Sequence, residues 1–348
     1  MAIQDRYHRQ RLVEGFGDAG QHALSETTIA IVGLGALGCL TASMLARAGV
    51  GSLILIDRDI VELTNLQRQL LYTEEDAAKH LPKALAAKLH LERFNSDINV
   101  TAEVVDLTCV NAERLLAPAD IIVDGLDHFT TRYILNDVAV KQQKPYLFAG
   151  VIAGQGNVMS IVPEKPTPCL RCVFPEPPPS GAQDTCDTAG VLSPAIGIAA
   201  SCQTMDALKC ATGHLEKITN TLLTFDLWNV QSNRLDIGLP NDECPCCSKH
   251  HYEFLDQLHD VAPTTMCGQL TVQLPCQETF DIKSAFKRLS EHGSFTHHMT
   301  VVRGELKEEL GDNGDPITLT CFEDGRVLVY GTDDIGRAKS ICTRFIGI

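Results

Sequence analysis

Thr28-Ile29-Ala30-Ile31-Val32-Gly33-Leu34-Gly35-Ala36-Leu37-Gly38 decides the fold of this chain. The first five residues are a short apolar run rich in β-branched side chains, which reads as a buried strand. Glycines at 33, 35 and 38 then allow a tight turn and close approach of backbone to a ligand, and residues 36–48 have helical spacing and composition. A strand that runs through glycines into a helix N-terminus presents unpaired N–H groups and the positive end of a dipole to a phosphate. Asp57 ends the next apolar run, 52–56, nineteen residues after Gly38. A carboxylate at that offset accepts ribose hydroxyls. Alone, this pattern suggests NAD or FAD binding.

Outward from the turn, strand and helix patterns alternate. Helical spacing is read at 83–95 and 130–142, and strand-like runs at 99–105, 121–123 and 145–149. The alternation predicts an α/β fold, a Rossmann-like parallel sheet with helices on both faces. Residues 191–211 form a long apolar helix candidate with Pro194 near its start, where proline is tolerated. Later strands are expected at 222–226 and 230–237. The stretch from Pro175 to Asp184 is rich in proline, glycine and polar residues and is expected to be a mobile loop. From 252 the chain has its own rhythm: a strand at 270–274, a helix at 281–292, a strand at 299–303, a hairpin over 317–330 turning at Glu323-Asp324-Gly325-Arg326, and a closing helix at 333–345. Two domains are therefore expected, 1–250 and a small α/β domain over 252–348.

The chain has 348 residues, a net charge of −15 and a pI near 5.2. That balance argues against nucleic acid as a partner, because phosphate backbones need a basic face. No apolar run approaches membrane-spanning length, and the first ten residues are too polar for a secretory leader. Fourteen cysteines in that context point to a reducing, cytoplasmic setting, where metal binding and catalysis are commoner uses than disulfides.

The residues after Asp57 change the reading of the turn. They run Arg58-Asp59-Ile60-Val61-Glu62-Leu63-Thr64-Asn65-Leu66-Gln67-Arg68-Gln69. A hydride-transfer enzyme has no need of this polar, asparagine- and arginine-bearing segment beside the nucleotide, whereas an enzyme that cleaves ATP does. Arg68 can grip phosphate bidentately, and Lys83 at a helix start can reach a phosphate as a point charge. Asp124 and Asp127 follow another strand at the carboxyl edge of the sheet, where a carboxylate suits Mg²⁺ shared with phosphate oxygens. Two cysteine pairs follow: Cys169 and Cys172 in Pro168-Cys169-Leu170-Arg171-Cys172, and Cys244 and Cys247 some seventy residues on. Each has the spacing that lets one turn offer two thiolates, and two such pairs complete a tetrahedral zinc site. Cys246 lies between the second pair and competes for the ligand role; the two-residue spacing favours Cys244 and Cys247.

Taken in order, these pieces resemble the ubiquitin-activating-enzyme-like adenylyltransferases of the ThiF/MoeB/HesA family. The matching residues are Arg6-Tyr7-His8-Arg9-Gln10, the glycine turn, 57–69, Pro82-Lys83, 124–127, the two cysteine pairs and Thr185-Cys186. The resemblance implies that the terminal glycine carboxylate of a ubiquitin-fold sulfur carrier ending in Gly-Gly attacks the α-phosphate of Mg-ATP. This would occur in thiamine or molybdopterin biosynthesis or a related sulfur pathway. It implies that Gly33, Gly35, Gly38, Asp57, Asp59, Asn65, Arg68 and Lys83 line the ATP site and that Asp127 holds Mg²⁺. It also implies that Arg9 reaches the partner subunit's ATP in a homodimer, and that Cys186 receives the activated carrier. The family commonly has Asn after the Asp127 position; here it is His128. No rhodanese-type active-site loop is found in 252–348, so sulfur would come from a separate donor protein. The competing readings are a non-catalytic scaffold subunit of a heterodimer and a nicotinamide or flavin oxidoreductase.

Overall fold

The computed structural model describes residues 5–177, 189–256, 264–265, 270–274 and 281–347. They fall into two compact units, one within 1–74 and 83–257, the other within 75–82 and 258–348.

The first unit is built on an eight-stranded sheet: β1 (Thr28–Val32), β2 (Ser52–Ile56), β3 (Asn99–Glu103), β4 (Ile121–Asp124), β5 (Tyr146–Ile152), β6 (Gln155–Ile161), β7 (Thr221–Asp226) and β8 (Gln231–Asp236). Their order across the sheet is β3-β2-β1-β4-β5-β6-β7-β8. The first five are parallel. β1, β2 and β4 are apolar and buried almost throughout, as strands covered on both faces must be. Strand order reverses between β1 and β4, which opens the crevice where ligands of such sheets bind. Register sets Val32 opposite both Ile56 and Asp124. The next residues, Gly33, Asp57 and Gly125, therefore emerge side by side at one edge.

The sheet is not wholly parallel. β6, β7 and β8 run antiparallel to their neighbours. The cause is local: only Ala153 and Gly154 separate β5 from β6, and two residues can close a hairpin but not a crossover. Ala153 takes a positive φ of 53° to make that turn. β6 has no clear sequence signal, because Gln155, Gly156 and Asn157 interrupt its apolar pattern.

Helices cover both faces. On one, Ala36–Ala48 and Ser193–Ala211 share a core of Leu37, Val151, Ile196, Ala199 and Phe225. On the other, Phe129–Lys141 sets Tyr133, Leu135 and Val138 against Ile122 and Phe148, and this core also takes in Cys169, Cys244 and Cys246. Gln203, fully buried, ties the Ser193–Ala211 helix to the sheet: its Nε2 donates to Asp124 O at 2.8 Å and Leu147 O at 2.7 Å.

The second unit is an antiparallel sheet in the order β11-β12-β13-β14-β10-β9, from β9 (Thr264–Thr265), β10 (Thr271–Leu274), β11 (Gly293–His298), β12 (Val301–Leu310), β13 (Pro316–Phe322) and β14 (Val327–Tyr330). The expected hairpin is β13 with β14, turning through Gly325 at φ 90°. Helices Ile282–Ser290 and Ile335–Phe345 bury Leu289, Ile341 and Phe345 with Val302, Leu319 and Val329. Both are N-capped by aspartate: Asp281 accepts from Lys283 N, and Asp334 from Gly336 N and Arg337 N. No helix among the described residues is long and apolar enough to cross a membrane.

Candidate active site and four-cysteine cluster

The glycine turn and the end of β4 interlock. Gly33 sits at φ +87°, and its N–H donates to Ile56 O at 2.9 Å. Gly125 N–H donates to Val32 O at 2.8 Å. A methyl on Gly38 would lie 1.9 Å from Gly33 O, and one on Gly125 would lie 2.1 Å from the same atom. These glycines are required by backbone-to-backbone packing. Gly35 is different: it precedes the helix Ala36–Ala48, and an added Cβ would meet only Gly125 O, at 3.8 Å. Room for a phosphate is at Gly35. Gly125 escapes sequence reasoning, although its place directly after a buried strand was a usable signal.

Asp57 is almost fully buried, and it holds this turn. Its Oδ2 accepts Leu34 N–H at 2.6 Å and its Oδ1 accepts Asp59 N–H at 2.7 Å. Burial pushes its carboxyl up, opposed by the Lys83 charge. Lys83 Nζ donates to Asp59 Oδ2 at 2.9 Å, and Lys83 N–H donates to Asp59 O at 2.8 Å. The Lys83 side chain is only 8% exposed. Burial works against its ammonium, but Asp59 and Asp57 outweigh it, so Lys83 is raised and stays charged. Burial also works against Asp59, yet Lys83 and Arg58 hold it below the usual carboxylate range. The structure thus brings Asp57, Asp59 and Lys83 into one charged network behind the turn.

Asp127 joins this network by charge. It is 68% exposed, and His128 Nδ1 lies 3.0 Å from its Oδ1. The hydrogen bond with His128, helped by the Lys83 and Arg132 charges, holds the Asp127 carboxyl well below the usual range. Asp124 does not share this role, contrary to the sequence reading that paired it with Asp127. It is fully buried, accepts from Arg132 Nε at 3.0 Å and Tyr146 OH at 2.9 Å, and ties back Leu126 N–H at 2.8 Å. Its task is to anchor the loop that carries Asp127. Arg132, which sequence reasoning passed over, also donates to Leu126 O and Ala149 O.

Of the other expected residues, Asn65 Oδ1 accepts Glu62 N–H at 3.0 Å in a capping box over Leu63–Asn65. Arg68 Nη1 donates to Thr64 O at 3.2 Å. Ser193 Oγ donates to Gln67 O, so this segment touches the start of the Ser193–Ala211 helix. Arg9 is exposed on the helix His8–Arg11. Cys186 and most of the proline-rich stretch lie outside the described residues.

Cys169, Cys172, Cys244 and Cys247 converge, their sulfurs all within 4.8 Å of one another. Three separations are 3.9 Å (Cys169–Cys172), 3.6 Å (Cys169–Cys244) and 3.4 Å (Cys172–Cys247). Tetrahedral zinc with bonds of about 2.3 Å requires sulfurs about 3.8 Å apart, so these four fit the ion. Asn241 N–H donates to Cys172 Sγ at 3.4 Å, a bond between the two pairs. Cys246 is not one of the four; its sulfur accepts from Asn136 Nδ2 at 3.2 Å, and its side chain also meets Cys169 and Asp137.

The chain is similar to known proteins. The model of the ThiF family matches residues 7–246. The chain is 42% identical, over 98% of its length and 99% of the relative's, to the sulfur carrier protein ThiS adenylyltransferase of Bacillus subtilis. It is 39% identical, over 70% of its length and 90% of the relative's, to a sulfur carrier protein adenylyltransferase of Thermus thermophilus. Among solved structures, Escherichia coli MccB crystallised with ATP superposes with a TM-score of 0.58 at 25% identity, over 70% of this chain and 74% of that one.

Proposed function

We propose a function from an established membership: the chain belongs to the ThiF family. It uses ATP to adenylate the C-terminal glycine carboxylate of a ubiquitin-fold sulfur carrier of the ThiS/MoaD type, in sulfur transfer to thiamine or molybdopterin. The observation that carries this reading is the Asp57–Asp59–Lys83 network set behind the glycine turn. It occurs in a chain alike, end to end, to a relative named for that reaction.

A carboxylate oxygen of the carrier bonds to the α-phosphorus as the bond from that phosphorus to the pyrophosphate oxygen breaks. An acyl-adenylate forms and pyrophosphate leaves with the negative charge. Preset cations favour this step because they meet charge that grows as the bond breaks. Arg68 and Lys83 are the cations assigned to the phosphates. The helix N-terminus at Gly35 adds backbone N–H groups. Asp57 and Asp59, with Asn65, shape the nucleoside end. Asp127, exposed and held ionised, suits Mg²⁺, which when bound neutralises phosphate charge. Arg9 serves the partner subunit's cleft in a homodimer. The Cys186 thiolate attacks the acyl-adenylate carbonyl, so that a thioester to the carrier forms as AMP leaves, and a separate protein donates sulfur. The four cysteines hold zinc in a closed, structural site.

ATP–pyrophosphate exchange tests this. Exchange should require a carrier with both terminal glycines and vanish when the last one is deleted. Exchange that ignores the carrier tail would move the substrate to another carboxylate.

A further inference from the structure

The two cysteine pairs are 75 residues apart in sequence, and something must hold them at metal-binding distance. Asn136, on the helix Phe129–Lys141, touches both. Its Oδ1 accepts Leu170 N–H at 2.8 Å, one residue past Cys169 and at the first position of the short helix Leu170–Val173. Its Nδ2 donates to Cys246 Sγ at 3.2 Å, between Cys244 and Cys247. Asn136 is fully buried, as is Cys246, and Cys169 and Cys244 are nearly so. The Leu170 bond fixes the orientation of this buried amide, since turning it over would set its NH2 against Leu170 N–H, donor against donor. The adjacent residue extends the hold: Asp137 Oδ2 accepts Phe254 N–H at 3.0 Å and Leu255 N–H at 3.3 Å, fixing the chain that leaves the second pair.

We infer that Asn136 is the positioning residue of the four-cysteine site, spanning the two pairs through Leu170 N–H and Cys246 Sγ. This rests on the zinc reading above. Cys246 is then no ligand but the foothold for one end of the amide. Groups that orient metal ligands govern affinity and release although they never touch the ion.

The test measures zinc content of the full-length protein by elemental analysis and zinc release to an excess of colorimetric chelator. The variants are Asn136→Ala, Cys246→Ala and the double substitution, with folding followed by circular dichroism. Wild type should hold one zinc per chain. Asn136→Ala should release it about tenfold faster or more, if the affinity such outer partners supply is lost through faster release. Cys246→Ala should keep full zinc and release it faster than wild type but more slowly than Asn136→Ala, because the Leu170 bond survives. The double variant should be faster than Asn136→Ala by less than the Cys246→Ala effect alone, because the Asn136–Cys246 bond is already lost while the contacts of Cys246 with Asp137 and Cys169 are not; effects that multiply in full would overturn the inference. Release at the wild-type rate from folded Asn136→Ala overturns it too. If that variant does not fold, wild-type release from folded Cys246→Ala does the same. Substoichiometric zinc in Cys246→Ala would make Cys246 a ligand instead. A wild type that holds no zinc would defeat the zinc reading itself, a result distinct from the others.

Discussion

Arg68 has no carboxylate partner among the described residues, only the Thr64 carbonyl. Its loss should leave stability within about 0.5 kcal/mol of wild type, as for surface substitutions. The rate of pyrophosphate exchange should fall on the order of 10²-fold. Thermal unfolding and exchange assays on Arg68→Ala check the two halves separately. Asp137 gives a pH signature. Burial pushes its carboxyl up to about 6, against the hydrogen bonds it takes from Cys246 and from Phe254 and Leu255 N–H. Below about pH 4 folded and unfolded chains both carry the proton. Between about 4 and 6 only the folded chain keeps it, so this group's contribution to stability falls as pH rises and then levels off. Asp137→Asn should remove that decline, and the variant should gain on wild type by up to about 3 kcal/mol across the window in urea unfolding. Sequence offsets put forward Asp57, Lys83 and the cysteine pairs as candidates, and the four cysteines do converge. The offsets could not show that Asp57 serves the N–H groups of Leu34 and Asp59, or that Asp124 is spent on Arg132. Those partners come from chain folded alongside, which no local pattern encodes. Asn136 was missed for the same reason.

The glycine turn makes its predictions as an element. Gly38→Ala would drive a methyl into Gly33 O, backbone against backbone, and nothing there can yield cheaply. A loss of about 3 kcal/mol or more is expected, at the upper end of overpacking costs. Gly35→Ala should fold normally, because its φ of −71° suits any residue and its surroundings are open. The added methyl occupies the room left for phosphate, so ATP affinity should drop roughly tenfold, about 1.4 kcal/mol. Unfolding curves and calorimetric titration with ATP separate the two variants. Apolar β-branched runs marked β1, β2 and β4 in the sequence because those strands are buried on both faces. The antiparallel part was less legible: the hairpin at Ala153-Gly154 and the polar residues of β6 obey turn geometry rather than apolar periodicity.

For the whole molecule, the four cysteines join chain segments far apart in the first unit, so zinc should stabilise the fold it binds. Stripping it with a chelator should lower unfolding stability by about 3 kcal/mol or more, the linkage expected where free zinc exceeds its Kd a hundredfold. The fit of the sulfurs to a tetrahedron could not be read from spacing alone, which offered Cys246 as well. The second unit's fold was partly legible from its hairpin and amphipathic helices, but nothing in its residues names a role. The central claim is that this molecule places AMP on a carrier's C-terminal glycine. The direct measurement is intact-mass analysis of a carrier ending in Gly-Gly after incubation with the protein and Mg-ATP. A carrier heavier by one adenylyl group should form, with no such species when the terminal glycine is deleted, and it should build up on the order of 10²-fold more slowly with Arg68→Ala. A carrier that stays at its original mass, while the same wild-type protein adenylates some other carboxylate, would contradict the central claim.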